Sequence, residues 1–320
     1  MWMPLTVTLI NNLYFYAKHG KIFAKDVYFY VLCDFLFGES MEKFCIIVNK
    51  DRDEHLELTG RVQDFLAAEG KTFAVRMESL DEADAVWRPI PEDVDCFIVL
   101  GGDGTMMRAA NRLKEFNVPI LGINAGTLGY LTGVEANDAE KGLERLCTGN
   151  FRVQNRMMLD ASINGSYADS VLNEVAITRS GVSRMIQMAV YVNGALLDMV
   201  TGDGLLISTP TGSTGYNLSA GGAIVTPEAR LILITPICPH SLSSREIVAS
   251  AEDEITVEIR QSRRGPEVGA VVTFDGREAV ELNTNDKIVV KCSDYTTKLV
   301  QLDDRTFFEV LRSKLGAVGQ

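Results

Sequence analysis

Cys96-Phe97-Ile98-Val99-Leu100-Gly101-Gly102-Asp103-Gly104-Thr105 runs five apolar residues straight into three glycines set around an aspartate. An apolar run without alternation predicts a strand buried on both faces. The glycines let the backbone turn sharply, and a helix is expected from about 105 to 115. Upstream, a strand is expected at 44–49. A helix follows at 54–69, where Leu56, Leu58, Val62, Phe65 and Leu66 form an apolar stripe. Gly70 suits its end, and Thr72–Met77 reads as a second strand. Downstream, Val118–Ile123 is another strand, leading into the turn Asn124-Ala-Gly-Thr-Leu-Gly-Tyr130. Strands alternating with helices predict a parallel sheet with both faces covered. Ligands of such sheets sit at the carboxyl ends of the strands, where both glycine-rich turns fall.

Beyond about residue 140 the pattern becomes β-rich. Strands are expected at 160–163, 170–177, 188–192, 205–208, 254–259, 271–275, 286–291 and 298–302, and Asn164-Gly, Asn193-Gly and Asp275-Gly are hairpin signals. A short helix is expected at 306–314. The expected organisation is therefore an α/β domain with a Rossmann-like parallel sheet at 41–140 and an all-β, sandwich-like domain at 141–304. A tail follows at 305–320. Residues 1–40 are rich in Tyr and Phe without periodicity, and Met41 opens the first strand-like segment. They read as an extension upstream of a natural start at Met41. Deleting 1–40 with loss of folding or activity would contradict that.

The chain has 320 residues and a formal charge of −12. Such an acidic balance disfavours nucleic acid, whose binding needs a basic surface, but leaves room for a small anion held by local N–H donors. None of the six cysteines forms a Cys-x-x-Cys pair, and the three histidines have no metal-ligand spacing. Buried reduced thiols and a cytoplasmic protein are expected. No apolar stretch has transmembrane length, so no membrane partner is expected.

The turn Gly101 to Thr105 opens a helix whose N-terminus favours phosphate. An aspartate there would repel phosphate unless it serves a purpose, such as holding Mg²⁺ or taking a proton from an attacking hydroxyl. Alternatively, Asp103 only caps the helix. Gly70-Lys71-Thr72 lacks the first glycine of a Walker loop, and no Gly-x-Gly-x-x-Gly follows a strand in this half. The second unusual stretch, Asp203 to Gly222, follows a short apolar strand with Ser208, Thr209, Thr211, Ser213, Thr214, Tyr216 and Ser219. Hydroxyls and glycine amides at this density suit a polyol, a purine edge or a diphosphate, unless they only form a solvated turn. Asn173 and Glu174 interrupt the apolar strand Val171–Ile177. Buried polar groups there need partners, and ribose hydroxyls would serve.

In this order, Gly101–Thr105, Gly122–Leu131, Asn173-Glu174 and Asp203–Gly222 resemble the motifs of NAD kinases over roughly 41–315. Gly-Gly-Asp-Gly alone also resembles phosphofructokinases and lipid kinases, but Ser208 to Thr214 paired with Asn173-Glu174 is much more specific. The resemblance implies ATP-dependent phosphorylation of the 2′-hydroxyl of NAD's adenosine ribose. Asp103 would be the general base. Gly101, Gly102, Gly104 and Thr105 would cradle ATP phosphates, with Mg²⁺ carried by ATP and no direct protein ligand. NAD would be held by Gly104, Asn173, Glu174, Arg184, Thr201, Asp203, Thr214, Gly215, Tyr216, Asn217, Leu218, Ser219 and Cys238. ATP or polyphosphate would donate, and the protein would be a homodimer or homotetramer. Two positions depart from the family: Gly215 stands where many relatives carry Ala, and Arg277 where they often carry Gln. A lipid or sugar kinase and a non-catalytic dinucleotide sensor are the competing readings. The first leaves the 208–219 loop unexplained, and the second has no need of Asp103.

Overall fold

The computed structural model describes residues 41–53, 56–78, 90–91, 93–126, 129–181, 185–241, 243–260, 269–277, 279–302 and 305–316. The expected extension 1–40, and Arg184 among the site residues, lie outside them. Strands β1 (Lys43–Asn49), β2 (Thr72–Glu78), β3 (Cys96–Leu100) and β4 (Ile120–Asn124) pair in parallel in the order β4-β3-β1-β2. The short β5 (Val134–Glu135) adds beside β4. Helices α1 (Glu57–Ala68), α2 (Asp103–Leu113) and α3 (Ala139–Cys147) cover the sheet. Phe44, Ile46, Val48, Ile98 and Leu100 pack with Val62, Leu66, Leu143 and Leu146 of α1 and α3. The intervening Cys45, Ile47, Phe97 and Val99 pack with Met106, Ala109 and Leu113 of α2. Both faces are therefore apolar, as the unbroken run at 96–100 requires, and each fully buried Ile or Leu contributes about 1.5–3 kcal/mol. Helix α2 begins at Asp103, two residues earlier than expected, because Gly102 in an extended conformation (φ −101°, ψ −172°) already serves as its N-cap.

The rest is β-rich: β6 (Arg152–Ile163), β7 (Ser166–Val171), β8 (Glu174–Arg179), β9 (Ile186–Val192), β10 (Ala195–Gly202), β11 (Gly204–Ser208), α4 (Tyr216–Ser219), β12 (Leu231–Ile237), β13 (Ile247–Ser250), β14 (Ile255–Arg260), β15 (Ala270–Phe274), β16 (Val280–Leu282), β17 (Lys287–Gln301) and α5 (Phe307–Gly316). An antiparallel sheet β13-β12-β11-β8-β15-β16 packs on the antiparallel part of the other sheet. Residues of one parity fill the space between them: Met157, Leu159, Ala161, Ile186, Met188, Val190, Leu205, Ile207, Ile255, Val257 and Ile259. The three hairpin signals hold, with both residues of Asn164-Gly165, Asn193-Gly194 and Asp275-Gly276 at positive φ.

Two readings of the chain are corrected. The segments at 286–291 and 298–302 are one strand, β17, irregular between Cys292 and Thr296. Its first half places Ile288 and Val290 in the sandwich core. Its second half pairs in parallel with β4 at Leu299 and, with Leu302 just beyond, puts Leu299, Val300 and Leu302 into the α/β cores. The single strand expected at 170–177 is two, β7 in one sheet and β8 in the other, broken at Leu172-Asn173. Strands β10, β12, β13 and β16 carry no expectation from the sequence; exposed residues or prolines blur their alternation.

Candidate active site

Asp103 stands at the first turn of α2, half-buried. Its two carboxylate oxygens accept the amides of Tyr130 (2.8 Å) and Leu131 (3.0 Å) from the second glycine-rich turn. The approach is close enough to require glycine nearby, since a methyl at Gly129 would lie 1.8 Å from Asp103 Oδ1. Burial, then the Asp103 charge, raises the Tyr130 phenol above its ordinary pKa. Thr105 is turned inward. Its hydroxyl accepts from Asn49 Nδ2 at 2.9 Å, and a methyl at Gly101 would meet it at 2.5 Å. Gly102 leaves open space at the helix mouth, and a methyl at Gly104 would meet only Arg108 Nη1, at 3.8 Å. The two glycine-rich turns thus lock one carboxylate beside a helix N-terminus.

Asn173 lies in the break between β7 and β8 and Glu174 opens β8, and the side chains of both reach the same place beside Gly215. Asp275 shapes that break. Its buried carboxylate accepts the amides of Leu172 (2.8 Å), Asn173 (2.8 Å) and Glu174 (3.0 Å). Burial raises the Asp275 pKa against the pull of those three amides. Asn173 Nδ2 reaches Met107 Sδ (3.2 Å), one turn along α2 from Asp103, so the two motifs share the cleft. Glu174 is 7% exposed, and its Oε2 has no hydrogen-bond partner. Desolvation, reinforced by Asp275 and opposed by the Tyr216 amide, pushes the Glu174 pKa up to about 7. A buried acceptor left open is costly unless something fills the place.

The hydroxyl-rich segment divides. Thr209 donates to Leu172 O (2.6 Å) and Ser213 to Val225 O (3.1 Å), both from buried positions. Asn217, wholly buried, bonds Ala223 O and Thr235 Oγ1. These groups build the loop. Ser208 Oγ is buried without a partner at the end of β11, beside Glu174 in the pairing. Thr214, Gly215 and Leu218 are half-buried, and Tyr216 and Ser219 exposed, facing outward from the turn Thr211–Thr214. A methyl at Gly215 would sit 3.2 Å from Glu174 Oε2 and 3.3 Å from Asn173 Nδ2, so an alanine there would press on both.

Thr201, Asp203 and Cys238 are not brought to this cleft. Asp203 pairs with Arg179 (2.8 Å), at the end of β8 opposite Glu174. Five residue steps separate those ends, roughly 17 Å at about 3.3 Å each. Thr201 O accepts the His240 amide nearby, and Cys238 is exposed with φ 43°. Arg277 is engaged away from the cleft, on Ser170 O (2.6 Å), Phe274 O (2.9 Å) and Asp169. Sequence reading missed Asp275, which looked only like a turn residue, and Arg156, a buried guanidinium on β6 bonded to Gln154 (2.6 Å). No periodic or spacing signal marks either. Among the described residues no group of three or more His, Cys, Asp or Glu is placed to hold a metal ion.

Residues 44–151 match the ATP-NAD kinase N-terminal domain and residues 172–302 the ATP-NAD kinase C-terminal domain. An NAD kinase of Lachnoclostridium phytofermentans is 46% identical over 283 residues, covering 86% of this chain and 99% of that one. One from Lachnospira eligens is 38% identical over 293 residues, with 86% and 100% covered. A yeast NADH kinase crystallised with NADH superposes with a TM-score of 0.75 at 22% identity, over 88% of this chain and 89% of that one. An Archaeoglobus fulgidus NAD kinase in complex with ATP gives 0.68 at 27% identity, over 86% and 100%. With an anchored aspartate at a helix mouth, an open buried carboxylate across the cleft, and both halves matched, the chain belongs to the ATP-NAD kinase family.

Proposed function

We propose that this chain carries out ATP-dependent phosphorylation of NAD at the 2′-hydroxyl of its adenosine ribose. The observation that carries this reading is the unpartnered Glu174 Oε2, buried beside Asn173 and across α2 from Asp103. A ribose offers the hydroxyl donors that this acceptor lacks. Asp103 takes the 2′-hydroxyl proton. The oxygen then attacks the γ-phosphorus, and the bond to the β–γ bridging oxygen breaks to release ADP. The two amides on Asp103 fix its direction while leaving lone pairs for that proton. The divalent ion enters as part of the Mg·ATP substrate, and Gly101, Gly102, Gly104 and the N-terminus of α2 receive phosphate oxygens. Tyr216, exposed at the turn, stacks on a ring of the dinucleotide. Incubation with Mg·ATP and NAD, read by an NADP-specific dehydrogenase, tests the reading. No product from either NAD or NADH rejects it.

Binding is expected to depend on pH through Glu174. Ribose hydroxyls favour the carboxylate, which below pH 7 is mostly protonated in the free protein. NAD binding at pH 6 should be roughly tenfold weaker than at pH 8, the ratio of ionised fractions for a group with pKa near 7. Calorimetric titrations of wild type and Glu174→Gln check this, because the glutamine variant should show no slope. The stability effect has a fixed sign. The folded-state pKa lies above the ordinary 4.5, so this group's contribution to stability falls as pH rises from about 4.5 to 7.

Thr201, Asp203 and Cys238 lie at the end of β8 opposite Glu174, and in a homodimer or homotetramer they serve a second copy's cleft. Beside them, the edge strand β10 exposes Leu196 (57%), Leu197 (38%) and Met199 (43%), apolar surface suited to burial between copies. Sedimentation velocity should show a dimer or tetramer; a fully active monomer contradicts it. The five described cysteines are all free, which supports a reducing, cytoplasmic setting.

A further inference from the structure

Helix α2 turns one face toward the β-rich half. Asp103, Met107, Asn111 and Lys114, the last just past its end, follow at intervals of four, four and three residues, the spacing of one side of a helix. That side lies along β7 in the reverse direction. Met107 Sδ meets Asn173 Nδ2 (3.2 Å). Asn111 Nδ2 donates to Ser170 O and, at 3.4 Å, to Asp169 Oδ1. Lys114 Nζ donates to Ser170 Oγ and Tyr167 OH, both at 2.9 Å. Among the described residues β7 pairs with β6 alone, so the groups on its other side need donors and acceptors from elsewhere. Ser170 is fully buried, and side chains meet its backbone. Its amide donates to Asp169 Oδ1 (2.8 Å), and its carbonyl accepts both Asn111 Nδ2 and Arg277 Nη2 (2.6 Å).

Two arms of similar length run from the Ser170 carbonyl to the cleft. Along α2, eight residue steps lead from Asn111 back to Asp103, about 12 Å at roughly 1.5 Å each. Along the chain, four steps lead from Ser170 to Glu174, about 13 Å at roughly 3.3 Å each. Asp275 pins the far end of the second arm through the 172–174 amides, and Arg277, two residues on, holds its near end. One short turn thus braces 170–174, and Asn111 fastens α2 to its carbonyl. The geometry points to Asn111 as a positioning residue: through the Ser170 carbonyl, with Arg277 as the second hold, it sets the distance between the base Asp103 and the ribose gripped at Asn173-Glu174. An amide suits the place because it bonds without adding charge to a junction that already holds Asp160, Asp169, Lys114 and Arg277. The inference deepens the kinase reading above and rests on it.

The test follows a single turnover of the full chain with saturating Mg·ATP and NAD. Asn111→Leu keeps the volume and removes the donor. Arg277→Met removes the second donor, and Arg277→Lys restores one. The single-turnover rate should fall roughly 10- to 10²-fold in Asn111→Leu and Arg277→Met, the scale for a reacting group misplaced by up to about 1 Å. Arg277→Lys should recover to within about threefold of wild type, since it still donates a charged hydrogen bond. The dissociation constant for NAD, measured by calorimetry without ATP, should stay within about twofold, because Asp275 still shapes the 173–174 segment. The kcat–pH profile should drop without shifting, because the base itself is unchanged. Val257→Ala, in the sandwich core, lowers stability without touching the junction and should leave the rate as it is. Wild-type rates in both donorless variants, a fall that only follows NAD affinity, or an equal fall in Val257→Ala overturns the inference. If Asn111→Leu fails to fold, the half-buried Arg277 decides through Arg277→Met against Arg277→Lys. If wild type makes no NADP, the kinase reading falls and the spacing role with it; NADP formed at the wild-type rate by both donorless variants removes the spacing role alone.

Discussion

Asp103→Asn lowers kcat by roughly 10²–10⁴-fold, the scale for loss of a general base. The substitution keeps volume and shape but leaves nothing to take the 2′-hydroxyl proton. The anchoring sharpens what must be measured beside turnover. Both Asp103 oxygens accept backbone amides, so an asparagine turns its NH₂ toward either Tyr130 N or Leu131 N. One donor then faces another, and the turn should lose about 1–3 kcal/mol of local stability. A merely structural aspartate would show that loss together with weaker NAD binding and little change in kcat. A base shows the large fall in kcat with NAD affinity nearly kept. Stopped-flow turnover and calorimetry on the same sample separate them, and undiminished kcat refutes the assignment.

Gly212→Ala should be the most damaging single methyl in the cleft. A Cβ there would stand 2.3 Å from Asn173 O, 2.7 Å from its carbonyl carbon and 2.9 Å from its Cα. All three are backbone atoms, so no side chain can swing aside. The turn Thr211–Thr214 must move off the 173–174 segment that Asp275 pins in place. Such overpacking costs about 1–3 kcal/mol. It also displaces Asn173 and Glu174, so the KM for NAD should rise tenfold or more, on the order of 1.4 kcal/mol. Gly60→Ala is the control. Nothing lies within 4 Å of a Cβ at that position in α1, and alanine there should stabilise by about 0.5–1 kcal/mol. Thermal melts and NAD titrations of the two variants check the contrast; equal behaviour would contradict the crowding argument.

The α/β half was legible because its physics is local. Unbroken apolar runs at 44–48 and 96–100 announce strands with two covered faces, and Gly101-Gly102 marks where the second ends. The site was legible where an odd residue broke a pattern, as Asp103 does among glycines and Asn173-Glu174 within an apolar run. Legibility failed where a residue's role depends on a partner far along the chain. Asp275 lies about a hundred residues from the amides it gathers, and its Asp-Gly pair has a sufficient local explanation as a hairpin turn. Hydroxyl content misled in a similar way. Ser and Thr side chains that fold a loop and those that would greet a ligand look alike in sequence, yet Thr209 and Ser213 are consumed internally. The break at 172–173 was missed because the apolar run resumes at Val175 beyond Asn173-Glu174, and only the change of sheet reveals it.

Strand β17 carries residues from near the chain's end into the cores of its beginning, through Leu299, Val300 and Leu302. During synthesis, the α/β half therefore cannot be completed until β17, about 150 residues further on, has emerged. Until then the flank of β4 lacks its last neighbour and part of its apolar cover, an interval in which the nascent kinase is exposed to aggregation.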